Sequence, residues 1–227
     1  MDQGQTHVTA TELFTLHGAG YTAALAQGVQ TVMASFNSWV DTDPATAPRH
    51  EQGRMHGNRY LLTEVLKHQL GFDGVVVSDW NGIAQVSGCK ATACAQAINA
   101  GIDMVMVPDD WQDFITHTVA QVQAGLIPMA RIDDAVSRIL RVKLRAGLFD
   151  RRPSQVPGAG EEAALRAPEL ARRAVRETLV LLKNNGQVLP LARHTRVLLV
   201  GRGADSLAMQ SGGWSLSWQG KIGRAHV

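Results

Sequence analysis

The sequence has few of the features that mark a membrane protein or a nucleic-acid-binding protein. No apolar run approaches the roughly 18 residues that a membrane-spanning helix needs. The 22 basic and 20 acidic residues leave a formal charge of +2, which is too balanced to indicate nucleic acid or an anionic membrane as a partner. With 45% hydrophobic and 19% charged residues, the chain of 227 residues is typical of a globular protein that can bury a sizeable core.

Cysteine is also scarce, since Cys89 and Cys94 are the only two. Two thiols cannot form a structural zinc site, which needs about four ligands, and no histidine lies close to them in sequence. They either form a disulfide, if the protein meets an oxidising compartment, or remain two reduced thiols. The histidines show no paired metal-ligand spacing, so each, including His56, is interpreted as a surface or satisfied polar position. We therefore predict no metal site.

Short apolar runs alternate with helical patterns along the first 146 residues. The segment 40–57, rich in Pro, Gly, Asp and Arg, is predicted to be a long loop. The predicted helices are 9–27 (capped by Thr9 or Thr11), 59–70 (capped by Asn58), 93–100, 111–124 and 132–146, and the predicted strands are 31–36, 74–79 and 102–108. This alternation predicts an α/β fold with a parallel sheet covered on both faces. Only about three such strands precede residue 150, whereas a closed barrel of eight takes roughly 250 residues.

A change of composition follows this first α/β region. Residues 151–161 contain two prolines and two glycines, which is typical of a linker. Beyond it, a helix is predicted near 162–177 and strands at 179–184 and 196–201. These elements predict the beginning of a second α/β unit.

The stretch GFDGVVVSDW, residues 71–80, places a carboxylate directly after a run of valines. In parallel α/β proteins, residues at the carboxyl ends of strands face the ligand crevice, so Asp79 is a candidate functional residue. The alternative is a helix N-cap or a loop acid bonded to backbone N–H groups. Trp80 beside it suits a sugar or aromatic ligand, or else a contact that covers the core. Trp214 and Trp218, among glycines and serines, predict a binding loop.

Six segments, in this order, resemble glycoside hydrolase family 3, in its β-glucosidase and exo-β-1,3/1,4-glucanase branch. They are VMASFNSW, HGNRYLLTEVLK, LGFDGVVVSDW, AINAGIDMVMVP, RIDDAVSRILRVKLRAGLF and AVRETLVLLKNNGQVLPL. The resemblance implies a (β/α)8 barrel followed by an α/β sandwich domain. On that basis 1–150 corresponds to the later part of the barrel, 151–161 to a linker and 162–220 to the start of the sandwich. Residues 221–227 have no counterpart, and one back-translation of them resembles a sequencing adapter, so we interpret them as a non-native tail.

The resemblance also implies the roles of individual residues. Asp79, in the SDW motif, corresponds to the nucleophile of a retaining hydrolase, and we expect positive or hydrogen-bond-donating neighbours beside it. Trp80 and Trp218 match two tryptophans that sandwich a sugar in the exo-glucanase branch. Phe36 stands where a tyrosine is common, at a strand end near the nucleophile, and is included as a substrate-binding residue. The acid/base glutamate of the family is expected outside this chain, because Glu161, Glu162, Glu169 and Glu177 lie in no matching context.

These expectations define a retaining, exo-acting enzyme that releases terminal β-D-glucosyl residues from β-glucans or β-glucosides, without a metal or an organic cofactor. The alternatives within the family are a β-xylosidase and a β-N-acetylglucosaminidase, and the alternative outside catalysis is a carbohydrate-binding remnant. We expect the parent protein to be periplasmic or secreted, although the polar stretch MDQGQTHVTATE lacks the apolar core of a signal peptide.

Overall fold

The computed structural model describes residues 3–49, 53–206 and 209, which form two compact units, Met1–Glu161 and Glu162–Val227. The strands of the first unit are β1 (Gln5–Val8), β2 (Thr31–Met33), β3 (Ser38–Asp41), β4 (Gly53–Arg54) and β5 (Val75–Val77). Its α-helices are α1 (Ala10–Glu12), α2 (Ala19–Ala26), α3 (Ala95–Ala100), α4 (Trp111–Gln123) and α5 (Met129–Arg145). Two π-helical segments, Leu13–His17 and Tyr60–Gln69, and short 3-10 turns at Ala47–Arg49, Met55–Gly57, Gly82–Gln85 and Pro153–Gln155 complete it.

The second unit contains short helices in its described residues. These are α6 (Glu162–Leu165), α7 (Pro168–Thr178) and a 3-10 turn at Arg202–Asp205. A single helix was predicted near 162–177, and the break falls before Pro168, because proline disfavours helical geometry in the residue that precedes it.

The strands of the first unit pair in two small sheets. β2 and β5 are parallel, with Thr31 opposite Val75, which confirms the parallel pairing predicted for these apolar runs. The segment after α3 joins the other edge of β5 through a parallel bridge between Val77 and Met104. In the other sheet, β3 lies between β1, to which it is parallel, and β4, to which it is antiparallel.

Two helix starts agree with the sequence prediction. Thr9 forms a capping box with Glu12, so that each side chain bonds the other residue's backbone N–H. The Asn58 side chain accepts the N–H of Leu61 at 2.8 Å and so begins the helix that carries Lys67 towards the core.

The prediction of a loop over 40–57 was wrong at two places, since β3 extends to Asp41 and β4 covers Gly53–Arg54. Trp39 is 1% exposed, and its indole N–H donates to the carbonyl of Val8 at 3.0 Å. The hydrogen-bonding partner of β3 is β1, a strand about thirty residues earlier. The mostly polar sequence of β1 gives no strand signal of its own. A composition rich in Pro, Gly and Asp cannot reveal such a long-range pairing.

Three predicted strands are also corrected. The segment 102–108 makes one bridge to β5 but does not form an extended strand, and the N–H of Met106 donates to the side-chain hydroxyl of Ser78 at 2.7 Å. The runs 179–184 and 196–201 are not strands either, and Leu182 and Leu198 are 90% and 85% exposed. A strand needs partners for its N–H and C=O groups, and no described strand pairs with these runs.

The hydrophobic core of the first unit packs around β5. Val76 is fully buried there, and the other buried members of the cluster are Ala34, Leu62, Leu66, Phe72, Ile83, Val86, Cys94, Ala97, Ala100 and Ile102. Cys94 of this core forms a disulfide with Cys89, which decides between the two alternatives for the pair. None of the helices in the described ranges is long and apolar enough to cross a membrane.

Candidate active site

Asp79 lies two residues beyond the carboxyl end of β5, where the chain turns away from the sheet. The N–H of Ser78 donates to the carbonyl of Met104 and the N–H of Asn81 to the carbonyl of Met106, both at 2.9 Å. Asn81 adopts the left-handed conformation, with φ 51°, which brings the chain round sharply. The turn is therefore fixed to the neighbouring segment on both sides of Asp79.

Both backbone polar groups of Asp79 are bonded. Its N–H donates to Nε2 of His56 at 2.9 Å. Its carbonyl accepts the hydroxyl of Ser78 and the N–H of Gly82, each at 2.9 Å. These bonds fix the Cα position, so that only the side-chain torsions of Asp79 remain to be set.

The carboxylate of Asp79 is half-buried and asymmetrically bonded. Oδ1 accepts the backbone N–H of Trp80 at 2.7 Å. Oδ2 receives no hydrogen bond from the residues that the structure describes. One carboxylate oxygen of Asp79 is thus held by the backbone, while the other keeps its hydrogen-bonding capacity with respect to the described residues.

The three predicted substrate-binding residues differ in their placement. Trp80 is 55% exposed and adjoins Asp79 at the surface. Phe36 is buried, and its ring centroid lies 6.0 Å from that of His56, so the ring packs against this imidazole. Trp218, like Trp214, lies outside the described residues. The structure therefore brings Asp79 and Trp80 together, with His56 between Asp79 and Phe36.

His56 is the site residue that the sequence did not reveal. It was interpreted as an ordinary polar position, yet it is fully buried. Burial lowers its pKa from 6.5 to about 4, against the opposing effect of the Asp79 charge and with a further lowering by the Arg54 charge. A Cβ at Gly82 would lie 2.2 Å from Nε2, so glycine is required for this close approach.

The buried imidazole predicts a stability that depends on pH. In the unfolded chain His56 titrates near 6.5, and in the folded chain near 4, so the unfolded state binds more protons between these values. We expect the free energy of unfolding to rise with pH from about 4 to about 6.5 and then to level off, with up to about 3 kcal/mol due to His56.

Urea unfolding at several pH values measures this effect, and His56→Gln is the matched variant because glutamine does not titrate. The wild-type chain should lose more stability than the variant on acidification through this window. If the free energy of unfolding changed equally with pH in both proteins, His56 would not be the cause of the pH dependence.

Metal ligands and surface cavities do not mark a second candidate site in the described part of the chain. The residues described there include no group of three or more His, Cys, Asp or Glu side chains that could hold a metal ion. One surface cavity lies near the start of β5, against Phe72, Asp73 and Arg145, and another lies in the second unit around Pro168. Hydrogen-bond geometry and position in the sheet, rather than a cavity, identify Asp79 as the candidate functional group.

Known β-glucosidases and a β-glucanase are similar to this chain over most of its length. It is 40% identical over 177 residues to a lysosomal beta glucosidase of Dictyostelium discoideum, an alignment that covers 73% of this chain and 21% of that protein. It is 32% identical over 220 residues to a periplasmic beta-glucosidase of Salmonella typhimurium, covering 92% of this chain and 27% of that one. The crystal structure of an exo-1,3/1,4-beta-glucanase from a Pseudoalteromonas species superposes with a TM-score of 0.82 at 50% identity, covering 98% of this chain and 27% of that chain.

The chain thus spans about a fifth to a quarter of the length of these relatives. The family model described as "Glycosyl hydrolase family 3 N terminal domain" matches residues 1–142, which is more than half of the chain. The protein belongs to glycosyl hydrolase family 3.

Proposed function

We propose that this chain supplies the nucleophile of a retaining, exo-acting β-glucosidase or β-glucanase that releases terminal β-D-glucosyl residues. The observation that supports it best is the carboxylate of Asp79 at the carboxyl end of β5, with Oδ1 held by the N–H of Trp80 and Oδ2 available. The names of the relatives, two beta-glucosidases and an exo-1,3/1,4-beta-glucanase, support the substrate class.

The proposed chemistry has two displacements at the anomeric carbon. Oδ2 of Asp79 attacks this carbon and forms a C–O bond, while the bond to the leaving oxygen breaks and a second carboxyl group, about 5 Å away, gives that oxygen a proton. Water then attacks the same carbon, gives its proton to the second carboxyl, and releases Asp79. Two inversions give net retention of the β configuration.

Trp80 is proposed to provide a stacking face for the sugar. The axial C–H groups of a β-glucopyranose form apolar patches that suit an exposed indole, and Trp80 adjoins the nucleophile with more than half of its surface exposed. Trp218 is proposed as the second indole of this subsite. Phe36 is proposed to support the site indirectly, since its ring packs against His56.

The architecture and location of the protein are proposed from the same relationship. β2, β5 and the segment after α3, which are parallel neighbours, are proposed as successive strands of a (β/α)8 barrel in 1–150. Residues 151–161 then form the linker, and 162–220 the start of a sandwich domain. The periplasmic relative supports a periplasmic or secreted location.

One relative favours a second substrate class. A protein of Cellulomonas fimi named beta-N-acetylglucosaminidase/beta-glucosidase is 30% identical over 212 residues, which is 85% of this chain and 37% of that protein. Specificity constants of the full-length gene product on aryl β-glucoside, β-xyloside and β-N-acetylglucosaminide distinguish the candidates. The proposed function requires the glucoside to be preferred.

Covalent trapping tests the nucleophile directly. A dinitrophenyl 2-deoxy-2-fluoro-β-glucoside has a good leaving group, while its fluorine slows hydrolysis of the intermediate, so the glycosyl-enzyme accumulates. We expect peptide mapping of the full-length gene product to find the label on Asp79 and none in Asp79→Asn. Protection by a β-glucoside substrate is the control for specific labelling. A label on another carboxylate would remove the assignment.

A further inference from the structure

The N–H of Asp79 has an unusual acceptor for a residue at the end of a buried strand. Within a parallel sheet such a group would donate to a carbonyl of the neighbouring strand. Here Ser78 bonds to the segment after α3, whereas the N–H of Asp79 faces the opposite side of the chain and donates to a ring nitrogen from the turn Met55–Gly57. Without this acceptor a partly buried N–H beside the nucleophile would lose its partner.

The bond determines the protonation state of His56. Nε2 can accept a hydrogen bond only when it carries no proton, so the imidazole is neutral and its proton lies on Nδ1. Nδ1 is buried and has no hydrogen-bond partner among the described residues. The charged groups that face the ring are Asp79 and Arg54, and the lowered pKa agrees with a neutral ring.

The position of the imidazole is itself fixed by its surroundings. The N–H of Met55, the residue before it, donates to the carbonyl of Asn37 at 3.0 Å. Phe36 packs against one side of the ring, and Gly82 approaches so closely that no side chain would fit between. A rigid acceptor thus meets the N–H of the residue that carries the reacting carboxylate.

We propose that His56 is a positioning residue, whose neutral imidazole holds the backbone of Asp79 so that its carboxylate is aligned for attack. The inference rests on the function proposed above. Displacement of a nucleophile by about 1 Å costs on the order of 100-fold in rate, so one backbone bond is sufficient to matter. His56 makes no contact with the sugar in this proposal, so its loss should change the rate of attack more than the binding of substrate.

Three substitutions separate the hydrogen bond from the packing. His56→Leu fills similar space without an acceptor. His56→Gln offers an amide oxygen near the place of Nε2, whereas the shorter His56→Asn does not reach it. The full-length gene product is assayed with 2,4-dinitrophenyl β-glucoside, whose leaving group needs no proton, so that kcat/KM reports attack by Asp79.

We expect His56→Leu and His56→Asn to lower kcat/KM about 10- to 100-fold with KM changed less than about threefold, and His56→Gln to keep most of the activity. If His56→Leu does not fold, the pair Gln and Asn decides the question. Equal activity of both with the wild type, or equal loss in both, would overturn the proposal. A wild-type protein inactive on the glucoside would instead overturn the proposed function, and the positioning role with it.

Discussion

Asp79→Asn should abolish β-glucosidase turnover in the full-length gene product, with kcat lower by about 10⁴-fold or more. The amide has nearly the same shape as the carboxylate and keeps an oxygen for the N–H of Trp80, so the turn at 79–82 is retained. It lacks the negative charge and the nucleophilic oxygen that form the glycosyl-enzyme in the proposed mechanism. The loss should therefore appear in the rate and not in the midpoint of unfolding.

Asp73→Asn is the matched control, since Asp73 belongs to the same stretch of sequence but lies on the surface. Its carboxylate pairs with Arg145, and both side chains are about half exposed. Exposed pairs contribute little, so this variant should retain turnover within about twofold. If Asp79→Asn were as active as Asp73→Asn, Asp79 would not be the nucleophile.

Chemical rescue tests the geometry of the attack. Asp79→Ala leaves space on the α face of a bound β-glucoside, and azide can enter there and displace a good leaving group. The expected product is the α-glucosyl azide, formed by a single inversion, with turnover that increases with azide concentration. Recovery of the β-glucosyl azide would instead assign Asp79 to the role of acid/base, because azide would then replace the water that attacks the intermediate.

Local signals predicted the helices and the buried strand before Asp79 well. The cap at Thr9, the cap at Asn58 and the apolar run of β5 depend on residues a few positions apart, and the structure contains all three. The sequence also indicated that Asp79 follows a buried strand. Such features are encoded within a single element and need no tertiary partner.

Features that depend on distant partners were missed. β3 is formed by its pairing with β1, and in the segment 102–108 the N–H of Met106 donates to the hydroxyl of Ser78 rather than to a strand. His56 meets Asp79 through a backbone N–H 23 residues away, and a backbone group leaves no pattern in a sequence. The sequence feature related to this contact is Gly82, whose missing side chain leaves room for the imidazole. A glycine in a turn is more commonly explained by the backbone conformation of the turn itself.

The second large effect, on the stability of the fold, is expected from substitution of Asp103. This residue is the buried carboxylate shared by the ion pairs with Lys67 and Arg131. Its side chain has no exposed surface, and Oδ1 accepts Lys67 Nζ at 2.7 Å and also bonds Arg131. Oδ2 accepts the backbone N–H of Val76 at 2.8 Å, so the same carboxylate holds the strand that leads to Asp79. Burial lowers the pKa of Lys67, and the charge of Asp103 opposes that effect.

Asp103→Asn should lower the free energy of unfolding of the chain by about 3–5 kcal/mol, because it leaves the buried Lys67 and Arg131 with only the partly exposed Asp134 as counter-charge. The measurement is urea unfolding near neutral pH, with the exposed pair as control: Asp73→Asn should cost less than about 1 kcal/mol. Adding Lys67→Met to Asp103→Asn removes one of the uncompensated charges and should recover part of the loss. If the double variant were no more stable than Asp103→Asn alone, the cost would not come from the buried charge of Lys67. The bond to Val76 would not explain it either, because the amide that replaces the carboxylate keeps an oxygen for the N–H of Val76.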